Sequence, residues 1–156
     1  MSVDQIEQLL RVELFSSLKE HALRRLASIT HEEAYPAGTY IFRHGDVGDK
    51  LYLILDGRVR IARQIPGMGE EALAVLGAGQ VFGEMALLDE SPRSADALAH
   101  ESCRLLAIAK EDLDDLLFRD KELAYEVLWS TVHMLVGRLR STNDKLTLLG
   151  VSGRFG

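Results

Sequence analysis

Three things are scarce in this 156-residue chain: it has one cysteine, three prolines and no long apolar run. Cys103 alone cannot close an internal disulfide or supply a multi-thiolate metal site. It lies in the apolar run CRLLAIA, where the plain reading is buried core. No stretch approaches the roughly 18 consecutive apolar residues that a membrane span needs. The opening MSVDQIEQLLRVELF has no basic segment followed by an apolar one, so it does not read as a secretory leader. The chain therefore reads as cytoplasmic, with no membrane partner. Basic residues are also in deficit, 18 Lys and Arg against 24 Asp and Glu, for a net charge of −6. Such a surface repels polyanions and argues against nonspecific nucleic-acid binding.

What is present is regular punctuation. Turn residues fall at Gly38, Gly45 to Gly48, Asp56-Gly57, Pro66 to Gly69, Gly77 to Gly79, Ser91-Pro92 and around His100. A spacing near ten residues is the mark of a small all-β sandwich or barrel. LYLILDGRVRIARQ reads as two strands joined by Asp-Gly, a strong hairpin signal, and EALAVL and SCRLLAIA supply further strands. Helical spacing flanks this block: Ile6, Leu9 and Leu10, then Leu23, Leu26 and Ile29 upstream, and Leu113, Leu116 and Leu117 downstream. The expectation is a single domain, mainly β with flanking helices. N-terminal helices take residues 1–30, a β barrel 31–109 and C-terminal helices 110–149.

The last helix carries a second signal. Leu128, Val132, Leu135, Leu139, Thr142, Leu146 and Leu149 follow in alternating steps of four and three, a heptad seam with one polar member. A stripe so narrow suits helix pairing, and the expectation is a homodimer through Leu128, Leu135, Leu139 and Leu146. The alternative is packing on the chain's own barrel. A helix of roughly 40 Å at 1.5 Å per residue is longer than a small barrel can cover.

The segment FGEMALLDESPRSA, residues 82–95, sets one arginine among several acids. Glu84 to Leu88 has helix formers enough for one turn, whose free N–H groups would face a ligand, and Gly83 permits close main-chain approach. Pro92 stiffens the backbone just before Arg93. A guanidinium fork is well suited to a phosphate diester, and Ser94 could add a hydroxyl. On these grounds alone two readings stand: an anion site, or a local salt bridge of Arg93 with Glu84 or Asp96.

The same residues carry a resemblance. FGEMALLDESPRSA resembles the phosphate-binding cassette of the cyclic-nucleotide-binding domain family. YPAGTYIFRHGDVGDKLYLILDGRVRI is similar to that family's first strands, including the Gly-x-x-Gly-Asp turn. The likeness extends over about residues 14 to 149, to the sensor domains of bacterial catabolite activator protein and of protein kinase A regulatory subunits. It implies an eight-stranded β roll, jelly-roll-like, with N-terminal helices and a long C-terminal helix. It implies that Arg93 holds the cyclic phosphate, Glu84 accepts from the ribose 2′-hydroxyl and Gly83 meets the ribose through its backbone. Met85 and Ala86 belong to the small apolar turn, Ser94 supports the phosphate and Ala95 lets the loop close. Leu73, Phe82, Leu87 and Ala97 would then be apolar wall, though core packing explains them as well. GRLRSTNDKLTLLG resembles the activator's dimerisation helix, and Thr142 and Asn143 stand where a Thr-Ser pair reads the purine edge in that relative. Serine at 94 decides little between cAMP and cGMP; the likeness to the activator favours cAMP.

The resulting expectation is a regulatory sensor, not an enzyme, with cAMP or cGMP as its ligand, no metal, and an effector that the sequence does not identify. Other classes find less support. The five histidines form no H-x-H pair, and HEEAY lacks the second histidine of a zinc helix. Cys103 and Ser94 have no neighbouring histidine, and no G-x-S-x-G elbow occurs. A nucleotide-free dimerisation domain of the same fold is the remaining alternative. The chain stops at VSGRFG, where transcription factors of this family cross into a helix-turn-helix reader, so DNA binding is not expected of these residues.

Overall fold

The computed structural model describes residues 3–10, 13–84 and 91–150. Helix α1 (Val3–Leu10), a 3-10 turn (Glu13–Phe15) and helix α2 (Glu20–Ser28) precede eight strands. The strands are β1 (Thr30–Tyr35), β2 (Tyr40–Phe42), β3 (Lys50–Asp56), β4 (Val59–Ile65), β5 (Gly69–Leu76), β6 (Val81–Phe82), β7 (Asp96–Ala99) and β8 (Cys103–Ala109). Helices α3 (Lys110–Arg119) and α4 (Lys121–Leu148) close the order. The strands form two four-stranded antiparallel sheets, β1-β8-β3-β6 and β2-β7-β4-β5. This is the expected roll with its flanking helices.

Strand β3 is apolar on both faces because it serves two cores. Tyr52 and Ile54 point between the sheets, where they meet Val59, Phe82, Ala97 and Leu105. Leu51 and Leu53 point the other way, into a cluster with Phe15, Leu23, Leu26 and Leu123. Strand alternation sends successive side chains to opposite faces, so a run that would be half wet in a lone sheet is buried throughout. Cys103 is buried in the inner cluster, as expected.

The Asp56-Gly57 hairpin does not form. Strand β3 is paired on both edges, to β8 and β6, and β4 on both edges, to β7 and β5, so neither has an edge free for the other. The dipeptide instead carries the chain from one sheet to the other. Gly57 takes φ +85°, and a Cβ there would sit 2.3 Å from the Ser102 carbonyl oxygen. The glycine signal was real, but it marks a close crossing under the 102–103 backbone.

Helix α4 starts at a built cap. The Asp120 side chain accepts from the Leu123 N–H at 3.0 Å, and its other oxygen takes Arg25 Nη1 of α2 at 2.6 Å. The cap separates α4 from α3 and ties both to the N-terminal helices.

Candidate functional site

Arg93 is the centre of the site. It is 7% exposed, yet no carboxylate lies within ion-pair distance of it among the described residues. Glu84 is taken by Arg138 of α4, Nη1 to Oε1 at 2.6 Å, and Asp96 Oδ1 accepts the His44 N–H at 2.7 Å. The local salt bridge that the sequence left open is therefore absent. The guanidinium donates instead to two carbonyls, Nη2 to Lys50 at 2.8 Å and Nη1 to Gly83 at 3.2 Å. Its face lies 4.1 Å from the Phe42 ring centroid. Nε is buried without a partner.

The loop around it is set by main-chain pairing. Gly45 N–H donates to the Arg93 carbonyl, and the Arg93 N–H donates to the Asp46 carbonyl, both at 2.8 Å. The Gly-x-x-Gly-Asp turn thus acts as a clamp on the arginine backbone. Gly83 adopts φ +78°, and a Cβ there would lie 2.8 Å from Arg93 Nη1 and 3.1 Å from the Lys50 carbonyl. Only glycine lets that carbonyl and guanidinium meet. Burial pulls the Arg93 pKa below the ordinary arginine value, against the influence of Tyr52, Asp49 and Asp46. Burial also pushes the Tyr52 phenol up to about 12, and its ring stacks on Phe82 at 5.0 Å, so the floor beneath the guanidinium is neutral.

In front of Arg93 opens a cavity of about 440 Å³. Its wall joins Gly83, Glu84, Arg93, Ser94 and Ala95 to Phe42, Ile61, Leu76, Phe82 and Arg138. The structure thus brings together the cassette residues it describes; Met85, Ala86 and Leu87 lie outside the described residues. Two expected wall residues are elsewhere. Leu73 is 52% exposed, because β5 is an edge strand with solvent on its outer side, and Ala97 is sealed in the inner core. Phe42 and Ile61 take their place; both pair in register with Ala97 of β7 and share its inward face.

Thr142 and Asn143 are not in this wall. Thr142 is exposed, its hydroxyl donating to the Arg138 carbonyl at 2.9 Å, and Asn143 is half-buried one residue further on. The residue that α4 does place at the cavity is Arg138, which sequence reasoning missed. It stands four residues before Thr142, one helical turn back along the same face, and that spacing was the available signal.

Helix α4 has two apolar stripes. Leu123, Val127, Thr131 and Met134 are buried against this chain. The heptad seam is a different stripe: Leu128 is 63%, Leu135 39% and Leu139 61% exposed. The seam is thus left free by its own roll. No helix among the described residues is long and apolar enough to cross a membrane.

The sequence and the fold match known proteins. Residues 32–120 match the family model described as the cyclic nucleotide-binding domain. The chain belongs to that family. It is 40% identical over 136 residues to the Cyclic AMP receptor protein of Thermus thermophilus, covering 87% of this chain and 61% of that one. It is 41% identical over 90 residues to a cGMP-dependent protein kinase of Drosophila melanogaster, covering 56% of this chain and 12% of the kinase. The crystal structure of the N-terminal domain of a transcriptional regulator from Streptomyces coelicolor superposes with TM-score 0.78 at 34% identity, covering 89% of this chain and 94% of that one. The cyclic-nucleotide-binding chain thus spans about three fifths of the length of its bacterial relative and a small part of the kinase.

Proposed function

We propose that the chain is a cAMP-responsive regulatory module, not an enzyme, in which nucleotide at the cavity controls the long helix α4. The observation that carries this reading is Arg93: buried, charged, paired with no acid among the described residues and open to a cavity. A diester anion would supply the missing counter-charge through charge-assisted hydrogen bonds. Ser94 and the loop closed by Ala95 flank that phosphate position, and Met85 and Ala86 of the same cassette are assigned to the ligand as well.

Glu84 takes the ribose. Arg138 occupies Oε1, and a carboxylate has two oxygens with about four acceptor sites. Oε2 is left to accept the 2′-hydroxyl, so Arg138 positions the acid and connects it to α4. Thr142 and Asn143 then serve the base from the helix seam, completed by a second copy packed along Leu128, Leu135, Leu139 and Leu146. Preference for cAMP over cGMP rests on the higher coverage of the match to the cAMP receptor. An effector, or an output domain beyond these residues, would read the helix. The shift is one of populations, set by different nucleotide affinity in two helix arrangements.

One observation favours a second reading. Glu84 is already paired with Arg138 of its own chain, as a domain that dimerises without ligand would have it. Calorimetric titration with cAMP and with cGMP separates the two. Saturable binding with cAMP the tighter supports the sensor; no heat and no thermal stabilisation with either nucleotide leaves the ligand-free domain. Sedimentation with and without cAMP measures the dimer.

A further inference from the structure

Strand β1 carries a cluster of ionisable groups that lies outside the cavity wall. Strand alternation puts His31, Glu33 and Tyr35 on one face, and Tyr35 packs against the inner core. Glu33 is the centre of the cluster, its side chain 18% exposed. Oε1 accepts the Tyr35 hydroxyl at 2.6 Å, Oε2 accepts the Lys50 ammonium at 3.0 Å, and His31 Nε2 lies 2.9 Å from the same Oε2. Burial alone would raise the Glu33 pKa, but these three partners together hold it below the ordinary carboxylate value, so the acid is charged. A charge in such a place is costly to bury unless its partners offset the lost hydration.

Lys50 joins this cluster to Arg93. Its ammonium reaches Glu33 across β8, which lies between β1 and β3 in the sheet, while its carbonyl accepts Arg93 Nη2. The guanidinium bridges the Lys50 and Gly83 carbonyls just past Tyr52 and Phe82, the last pair of β3 with β6. It stands where that ladder would otherwise run on. The turn before Lys50 grips the Arg93 backbone through Gly45 and Asp46, and its Val47 is 82% exposed. Segment 45–50 therefore holds both the main chain and the side chain of Arg93, and what fixes the segment fixes the guanidinium. From behind, it is held by the Lys110 N–H on the Asp49 carbonyl at 2.8 Å and by Glu33 on the Lys50 ammonium. The first is a main-chain bond that most sequences could make; the second depends on one acid.

We propose that Glu33 is a positioning residue for the phosphate end of the site: it anchors Lys50, and through Lys50 the seat and the clamp of Arg93. The link to nucleotide rests on the reading of Arg93 given above; the link from Glu33 to Arg93 does not. A merely structural cluster would lower stability and affinity together. A positioning role separates them. The Lys50 side chain is 31% exposed, so its loss should hardly change the melting temperature while it loosens Arg93. Tyr35 secures the other oxygen of Glu33 from the core side, so Tyr35→Phe should lower the melting temperature and leave Lys50 held.

The test measures the clamp and the binding separately. In nucleotide-free protein, the Gly45 and Arg93 amides should exchange about threefold or more faster in Glu33→Gln and in Lys50→Met, with Leu53 and Leu106 unchanged. Unaltered exchange at Gly45 and Arg93 overturns the anchor. Lys50→Arg returns a cation to Glu33 and should restore the wild-type rates. Calorimetry should show cAMP and cGMP weakened alike, by about fivefold, in Glu33→Gln and Lys50→Met, with the double variant little worse than either. Lys50→Arg and Tyr35→Phe should bind nearly as the wild type does. Undiminished affinity in Lys50→Met overturns the positioning role, and so does a loss in Tyr35→Phe as large as that in Lys50→Met. If the wild type binds neither nucleotide while exchange behaves as stated, Glu33 remains the anchor of Arg93 and the nucleotide reading of the cavity falls.

Discussion

The two ends of the candidate site are built in different ways. At the Arg93 end every support comes from within one chain: two carbonyls, an aromatic face and a pair of main-chain bonds to the Gly45–Asp46 turn. At the other end Thr142 and Asn143 lie beyond Met134, the last buried residue of α4, and neither lines the cavity. A finished, rigid end holds a ligand the same way whatever its base; an unfinished end contributes only when something completes it. Affinity should therefore reside at Arg93 and discrimination at the helix.

The largest break in that contrast is Arg93→Ala. Truncating a buried, hydrogen-bonded charge that faces an opposite charge costs about 2 to 5 kcal/mol. Calorimetry should show cAMP and cGMP weakened alike, since both carry the same cyclic phosphate. Arg93→Lys should fail nearly as badly, because an ammonium cannot reproduce the planar fork that spans the Lys50 and Gly83 carbonyls while lying on Phe42. Wild-type affinity in either variant would dismiss the phosphate end.

Gly83→Ala comes next and tests the rigidity of that end without touching its charge. The backbone sits at φ +78° and the new methyl would press on Arg93 Nη1. Holding a non-glycine residue there costs roughly 1 to 3 kcal/mol. The melting temperature should fall even with no nucleotide present, and affinity for both nucleotides should drop together, by about tenfold or more. A variant that melts lower but binds normally would show that the guanidinium does not depend on its carbonyl seat.

How far each end was legible follows from the same difference. FGE, PR and the Gly-x-x-Gly-Asp turn are short-range patterns whose geometry is local: a positive φ at Gly83 and a stiff bond before Arg93 can be read residue by residue. The heptad seam was legible too, since helical periodicity alone separates Leu128, Leu135 and Leu139 from the buried Val127, Thr131 and Met134. What escaped depends on tertiary placement. Asp56-Gly57 has the composition of a hairpin, and only the pairing of both strands on both edges makes it a crossing. Leu73 has the composition of a wall residue, but β5 is an edge strand exposed along nearly its whole length. The partner of Glu84 is 54 positions away on another element, and nothing in FGEMALL points to Arg138.

Between the two ends lies that Glu84–Arg138 pair, and its removal should have a moderate effect. Arg138 is half exposed, so the pair itself contributes little to stability, about 0 to 1 kcal/mol. Its effect should appear in binding. Glu84→Gln and Arg138→Ala should each weaken cAMP by about 1 kcal/mol, and the double variant should be little worse than either alone, because both remove one positioned acceptor. A 2′-deoxy analogue should lose affinity against the wild type and lose none against Glu84→Gln. Full additivity of the two substitutions would separate Arg138 from the sugar.

The smallest expected effect is at Thr142, and it bears most directly on the contrast. Thr142→Ala deletes one exposed hydroxyl whose bond in the single chain is to its own helix, so stability should hardly change. If the seam of a second copy brings this hydroxyl to the base, one hydrogen bond, about 1 kcal/mol, is at stake. The ratio of cAMP to cGMP affinity should then shift by about fivefold, with little change in cGMP or cAMP phosphate binding as such. Leu139→Glu supplies the control: a charge at a seam position that is 61% exposed in the single chain should give a monomer by sedimentation, fold normally and still bind through Arg93. In that monomeric background Thr142→Ala should leave the ratio where it was. A ratio that shifts equally in monomer and dimer would mean that the helix reads the base from within one chain, and the unfinished end would be finished after all.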